Sequence, residues 1–396
     1  MQTSTEAISL DQSWDESEVW RWWRRQMPVC STLAYFDNAA VAPISGPAAI
    51  AMTRYVEEAA TLGDTVWPSW NANGHAVRSA AASLVHCEPS EIAIVANTTA
   101  GICTVAEGLT WRAGDNVIIP DGEFPSNLFP WMHLAERYGV ELKVVPRRGD
   151  RVLVSDLIDA IDSRTRLIAL SWVGYASGYR VDIDSIVQQA HRQGVLVFLD
   201  AIQGLGLYDL DVRKTPVDFL SADGHKWLLG PEGAGVLMVR GEHIASIRPS
   251  AVGWASVKAP HNYAKPEFQL RDDAVRFEYG SANMAGVAGL QASLSMFVAV
   301  RERLGDDAIE NRILDLVECL KEKLSSIGAT TRMHADRGHR SGIVNFTVPG
   351  EDPSAIRARG LQQGVVLSVR DGGVRAAVHV YNNAEDLQRL IDVVQG

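Results

Sequence analysis

The sequence predicts an α/β protein, with a large domain built on a mostly parallel sheet covered by helices and a smaller α+β domain at the C-terminus. Three observations predict it. From about residue 79, short apolar runs with strand character alternate with segments of helical spacing. Polar clusters stand directly after those runs, where an open α/β sheet holds its ligands. Beyond about residue 290 the alternation gives way to one long amphipathic stretch and then to period-two segments.

Taken in order, the first thirty residues carry Trp14, Trp20, Trp22 and Trp23, an aromatic density expected to dock on the body of the protein or on a second subunit. Ile92–Ala96, Val117–Pro120, Glu141–Val145, Leu167–Trp172, Val195–Leu199 and Phe219–Ser221 read as short buried strands. Arg78–Val85, Asn127–Tyr138, Val154–Ala160 and Ile183–Arg192 carry the helical spacing between them. Ala292–Leu324 reads as one amphipathic stretch, followed by alternating segments at Ile343–Val348, Val365–Val369 and Arg375–Val380. No repeat, low-complexity tract or Gly/Ser linker separates the parts, so the domains should pack against each other.

Composition narrows the class of function. The 396 residues are 46% hydrophobic and 21% charged, which suits a large globular unit with a sizeable core. A formal net charge of −11 argues against nucleic acid, whose phosphates need a clustered cationic surface, and favours a small-molecule partner. The four cysteines, Cys30, Cys87, Cys103 and Cys319, are too scattered for a metal knuckle or a disulfide framework and read as buried thiols. Met1–Trp14 is polar, with neither a basic start nor an apolar core, and nowhere do eighteen apolar residues run together, so the expectation is a cytoplasmic protein without a membrane partner. A dinucleotide fingerprint beginning at Gly204 and Gly206 fails because Asp209 holds the third glycine position. His334 and His339 flank a polar loop and read as solvated, so no metal site is expected.

The polar clusters after the strands hold the candidate chemistry. Lys226 lies in His225-Lys226-Trp227-Leu228-Leu229-Gly230. An isolated lysine there would snorkel to the surface, but one pressed into a desolvated site keeps a neutral amine able to attack a carbonyl. Asp200 closes the apolar run Val195–Leu199. It is a turn former on one reading and, on the other, a carboxylate that would keep a pyridine nitrogen protonated and strengthen the ring as an electron sink. Gln203 follows three residues later, placed to meet the oxygen of the same ring. Thr98, Thr99 and Gly101 sit where a helix should begin, which suits either an ordinary N-cap or a phosphate.

Together these pieces resemble the class V group of fold-type-I pyridoxal-phosphate enzymes, which includes cysteine desulfurases, selenocysteine lyases, isopenicillin N epimerase-like proteins and kynureninase relatives. The resemblance runs from about Tyr35 to Leu390. It rests on Tyr35-Phe36-Asp37-Asn38-Ala39-Ala40, Thr98-Thr99-Ala100-Gly101, Glu123-Phe124-Pro125-Ser126-Asn127, Asp200-x-x-Gln203 and Ser221-Ala222-Asp223-Gly224-His225-Lys226-Trp227. It implies a fold-type-I architecture with a seven-stranded, mostly parallel sheet, divided as an N-terminal helical segment at 1–34 packing on the small domain, a large cofactor-binding domain at 35–285 and a small domain at 286–396. It implies pyridoxal 5′-phosphate held as a Schiff base by Lys226, with Asp200 on the pyridinium, Gln203 at the ring oxygen, Phe124 on the ring face, and Thr98, Thr99 and His225 at the phosphate.

Two further matches extend the resemblance. Arg276–Asn283 looks like the family segment that crosses a homodimer interface, which would bring Ser281 to the partner's phosphate. Ser368–Arg375 looks like the element whose arginine clamps the substrate carboxylate, with Arg375 as the bidentate clamp and Arg370 in support. Asn38, Tyr175 and the loops at Ala39–Pro43 and Trp254–Tyr263 complete the expected amino-acid pocket.

Two departures set the expected reaction. Desulfurases of this family carry a nucleophilic cysteine on the loop before the clamp arginine, whereas that loop here is Asp371 to Val374 and holds none. They also place a histidine over the ring where this chain has Phe124, which stacks but carries no proton. A third oddity, Asp223, stands where relatives often put a phosphate-binding serine. The expectation is C–S lysis by β-elimination of an S-substituted cysteine or cysteine sulfoxide, without a persulfide and within specialised-metabolite biosynthesis such as that of an antibiotic. An epimerase-like activity is the alternative, followed by an aminotransferase or decarboxylating variant. A non-catalytic module is disfavoured because Lys226 and Asp200 are both present.

Overall fold

The computed structural model describes residue 8 and residues 10–396; the start of the 1–34 segment, residues 1–7 and 9, lies outside the described residues. The helix Glu16–Arg25 opens with a capping box between Asp15 and Glu18, and carries Arg24 and Arg25 in its last turn, both favourable to the helix dipole. Its tryptophans are distributed by burial. Trp23 is fully buried and meets Phe297 edge-on at 4.9 Å. Arg24 reaches Asp386 (2.7 Å) and the Tyr381 carbonyl in the C-terminal part of the chain.

β1 (Ala34–Tyr35) follows, and then the seven strands of the central sheet. These are β2 (Ile92–Val95), β3 (Asn116–Pro120), β4 (Glu141–Val145), β5 (Thr165–Ser171), β6 (Leu196–Asp200), β7 (Phe219–Asp223) and β8 (Gly235–Val239), in the order β2-β8-β7-β6-β5-β3-β4. β8 runs antiparallel to both neighbours and the remaining pairs are parallel, which gives the expected mostly parallel seven-stranded sheet. All five residues of β3, β7 and β8 are buried, as strands covered on both faces must be.

The smaller sheet has the order β12-β13-β10-β9, built from β9 (Thr330–Thr331), β10 (Ile343–Thr347), β12 (Ser368–Arg370) and β13 (Gly373–Ala377). β11 (Val365–Val366) pairs in parallel with β1, so Ala34–Tyr35 belongs with the C-terminal strands rather than opening the large domain. Asp37 likewise bridges to Ala377. The other expected boundary, at 285/286, falls inside the helix Met284–Leu304, which packs along the helices Gly46–Thr61 and Trp67–Val85 of the large domain. That packing also explains its composition. It is long and apolar enough to span a membrane, yet 67% of its apolar window is buried in the protein.

The single stretch expected at Ala292–Leu324 is two helices, Met284–Leu304 and Ala308–Ser326, broken where Gly305 adopts φ +99°. The helix expected at Arg78–Val85 begins earlier, at Trp67, behind a proline in its first turn.

Candidate active site

A pocket of about 270 Å³ opens at the carboxyl ends of the parallel strands. Among its walls are Thr98, Thr99, Phe124, Tyr175, Asp200, Gln203, His225, Lys226, Arg370 and Arg375, ten residues that the sequence spreads over 278 positions and the topology brings together. The rule that sheet ligands sit beyond the strand ends therefore leads to residues that line one common pocket.

At one end, the helix Thr98–Gly108 points its first turn into the pocket, with Asn97 as N-cap accepting from Ala100 N (2.9 Å). Free backbone N–H groups and the helix dipole suit an anion there. Gly101 is required by close packing, since a Cβ would lie 2.2 Å from Ser221 Oγ on β7. Thr98 Oγ1 accepts from Asp223 N (2.9 Å), locking the helix start to the end of β7. Asp223 is buried, with Oδ2 2.9 Å from His225 Nδ1 and Oδ1 without a hydrogen-bond partner among the described residues. The carboxylate that stands in place of the expected serine thus faces His225.

The reactive groups are buried. Lys226 is 8% exposed, and burial drives its amine down to about 8, a shift that Asp200 opposes and Arg375 reinforces. Its Nζ lies 5.6 Å from the centroid of Phe124, which in turn meets Tyr175 edge-on at 5.3 Å. Asp200 is 3% exposed, and burial lifts its carboxyl to about 6 against a single backbone hydrogen bond from Ile202 N (3.1 Å) and the pull of Lys226. Gln203 donates to the Ala39 carbonyl (2.9 Å) and accepts from Trp227 Nε1 (2.8 Å), which leaves one amide N–H for a ligand. Trp227 is fully buried and stacks on His379, so the residue after the lysine anchors that segment.

Arg375 is 1% exposed and firmly held: Nε donates to Ser368 Oγ (3.1 Å), Nη1 to the Tyr175 carbonyl (2.7 Å) and Nη2 to Asp37 (3.0 Å). Its terminal nitrogens each keep one further N–H for a carboxylate. Arg370 is half-buried and is fixed only by a bond to its neighbour's carbonyl at Val369.

One expectation needs correction. Asn38 does not face the pocket; it is fully buried, donating to the Ala377 carbonyl (2.8 Å) and accepting from the Tyr381 hydroxyl (2.6 Å), so its amide ties the β1 segment to the small domain instead of meeting substrate. Ser281 is exposed beside a separate cleft with Arg78, His261 and Glu278, away from its own chain's Lys226.

The sequence reading passed over Glu123. Burial pushes its carboxyl up to about 7 although it accepts from Ser171 N (2.8 Å), Ser171 Oγ and Asn127 Nδ2, and the charge of Asp200 adds to the rise. Ser171 is the cross-strand neighbour of Asp200, so Glu123 links the segment bearing Phe124 to the strand pair bearing the aspartate. A glutamate in the polar cluster directly after an apolar strand was the available signal. His334 and His339, read as solvated, are half-buried against Tyr179, on which His339 stacks at 5.0 Å.

An amine held near neutral pH, a carboxylate ready for a pyridine nitrogen, an anion-binding helix start and a buried arginine define a lysine-anchored cofactor enzyme of the fold-type-I class. The aminotransferase class-V family profile matches residues 34–390, and the chain belongs to that family. A probable cysteine desulfurase of Methanothermobacter thermautotrophicus is 30% identical over 406 residues, spanning 94% of this chain and 96% of its own. The apo cysteine desulfurase of Thermococcus onnurineus NA1 superposes with TM-score 0.84 at 26% identity, covering 95% of this chain and 97% of that one. The cystine C–S lyase C-DES, in complex with cysteine persulfide, shares the fold with TM-score 0.85 at 23% identity over 93% of this chain and 98% of that one.

The protein is a pyridoxal-phosphate-dependent enzyme acting on an amino acid. The donor set fits the cofactor: Lys226 for its aldehyde, Asp200 for the ring nitrogen, and the Thr98–Thr99 turn with His225 for the phosphate. When bound, it supplies an electron sink for charge developing at the substrate α-carbon.

Proposed function

We propose that this enzyme cleaves the C–S bond of an S-substituted cysteine or cysteine sulfoxide by β-elimination. The observation that carries the reading is a pocket with a lysine, a carboxylate and a carboxylate-binding arginine but no thiol: none of the four cysteines lines it. Burial pushes Cys30 up to about 11 and Cys87 up to about 12, and it also raises Cys103, conditions that favour inert thiols over a sulfur-accepting nucleophile. The cysteine desulfurases among its relatives supply the precedent for cysteine-derived substrates.

In this scheme Arg375, with Arg370 beside it, orients the substrate carboxylate, and Lys226 Nζ takes the α-proton. The C–S bond then breaks, the sulfur leaves as a thiolate that takes up a proton, and the remaining aminoacrylate is hydrolysed to pyruvate and ammonia. A sulfoxide would leave as a sulfenate instead. Phe124 and Tyr175 wall the pocket beside Lys226. Elimination needs one proton carrier, whereas epimerisation needs delivery to opposite faces of the α-carbon. Lys226 provides the first, and Phe124, standing where related desulfurases carry a histidine, provides no second carrier.

The same reading places the protein in the cytoplasm, as a homodimer in which Ser281 reaches the partner's phosphate, and in the biosynthesis of a specialised metabolite such as an antibiotic. The test is a panel of cysteine S-conjugates and sulfoxides added to purified holoenzyme, with pyruvate and thiol assayed together. Equimolar pyruvate and thiol from one conjugate is the expected result. Alanine with protein-bound persulfide from free cysteine would sink the reading, as would racemised substrate without pyruvate.

A further inference from the structure

A second cleft, of about 450 Å³, lies on the far side of the loop that carries Tyr175. It is larger than the Lys226 pocket, and its walls come from Arg148–Arg151, Ser177–Tyr179, Arg332–Ala335, His339–Ser341 and Ile343. Three rings shape one side. Tyr179 and His339 stack at 5.0 Å, and His334 stands edge-on to both, at 5.7 and 4.8 Å.

The charges here are unevenly spent. Arg148 is paired with Asp156, and Arg340 is consumed by Glu318 and the carbonyls of His334 and Ala335. Arg151 has no carboxylate within ion-pair distance among the described residues, although Asp150 also lines the cleft. Arg332 pairs at 2.8 Å with Asp371, which is 54% exposed, so a competing anion could exchange for that carboxylate at little cost. The histidines are oriented as well. His334 Nδ1 accepts from Asp336 N (3.1 Å), which puts its proton on Nε2, while His339 Nδ1 donates to the Arg180 carbonyl (2.9 Å).

The cleft is wired to the active site on two sides. Asp371 is the residue after Arg370, and both Asp371 and Gly372 hold left-handed backbone at φ +51° and +72°. Asn345 Nδ2 donates to both the Ala176 and the Arg370 carbonyls, and Arg375 donates to the Tyr175 carbonyl. The shared wall has no slack: Ser341 Oγ donates to the Gly178 carbonyl, and a Cβ on Gly178 would lie 2.5 Å from the Ile343 carbonyl.

We propose that this cleft binds a small organic anion, a phosphate- or carboxylate-bearing molecule, through Arg151, Arg332 and His334, and that its occupancy alters substrate binding by drawing Arg332 away from Asp371. The loop bearing Tyr175 and the turn bearing Arg370 then shift together. This does not depend on which bond the enzyme cleaves.

The test uses holoenzyme at constant ionic strength, with inorganic phosphate as probe. Calorimetry should show one site per chain with a Kd on the order of millimolar. Saturating phosphate should change the apparent affinity for L-cysteine, read from the cofactor's visible band, by about twofold or more. Arg151→Gln, at an exposed side chain, should weaken phosphate binding about tenfold and move the response to correspondingly higher phosphate, and His334→Gln should weaken it less. Phosphate affinity unchanged in both variants, absence of binding, or occupancy that leaves the L-cysteine affinity unmoved would each overturn the proposal.

Discussion

Two buried aspartates mark opposite ends of the central sheet, and their surroundings differ sharply. Asp200, at the carboxyl end of β6, receives one backbone hydrogen bond, and burial lifts its carboxyl to about 6. Asp218, just before β7, is equally buried but accepts from His191 Nε2 (2.8 Å), His243 Nε2 (2.8 Å) and Val197 N (2.7 Å). Burial opposes ionisation there too, yet the two imidazole bonds and the backbone bond outweigh it and hold Asp218 below the ordinary carboxylate range. The same residue type in the same sheet is satisfied where it serves the fold and left wanting where it serves a ligand.

Lys226→Ala strikes this comparison hardest. The lysine is the cation nearest in role to Asp200, yet no salt bridge joins the two, and each is shifted toward its neutral form. Removing the amine deletes both the cofactor's covalent anchor and the proton carrier, so turnover should fall by roughly 10³-fold or more with loss of the cofactor's native absorption band. Steady-state kinetics beside a visible spectrum check this. Unchanged turnover would show that the under-satisfied end of the sheet is not the reactive one.

Asp200→Asn sharpens it with effects of opposite sign. Turnover should drop by about 10²- to 10³-fold because a neutral amide no longer keeps the ring nitrogen protonated. Cofactor-free protein should become more stable. A folded value of about 6 against an unfolded one near 3.9 means that the native state binds more protons between those values, so its stability falls as pH rises through that window. The variant should lose that slope and gain up to about 3 kcal/mol above pH 6. Denaturant melts of apoprotein at pH 4.5 and 7.5 decide it, and a variant less stable than wild type at pH 7.5 would contradict the account.

How much of this contrast was legible in the sequence depended on contiguity. Asp200, Gln203 and Lys226 lie in short motifs directly after apolar strands, which makes them legible in the sequence alone. β8, which follows β7 through a loop and runs antiparallel to both neighbours, was not located. The break at Gly305 was hidden because apolar spacing continues on either side of it. Asn38 sits in the right motif with its side chain turned to Tyr381, a direction that spacing does not encode. The cluster of His191, Asp218 and His243 spans three separate segments, so no single motif brings its members together.

Asp218→Asn is the smallest effect on catalysis and the cleanest complement. The cluster lies at the amino end of the strands, outside the Lys226 pocket, so kcat and KM should stay within about twofold. Stability should fall by about 2–3 kcal/mol, since an amide can accept two of the three hydrogen bonds only by presenting a donor to the third. The pH dependence identifies the cause. Asp218, held below its unfolded value, contributes stability above about pH 4 that is lost on further acidification. His191, raised first by its bond to Asp218, contributes stability below about pH 6.5 that is lost as pH rises through its folded value. Wild-type protein should therefore gain most from the cluster between those limits, and Asp218→Asn should flatten the profile there. A uniform loss at every pH would mean that the aspartate acts through packing alone, and that the electrostatic half of the comparison with Asp200 does not hold.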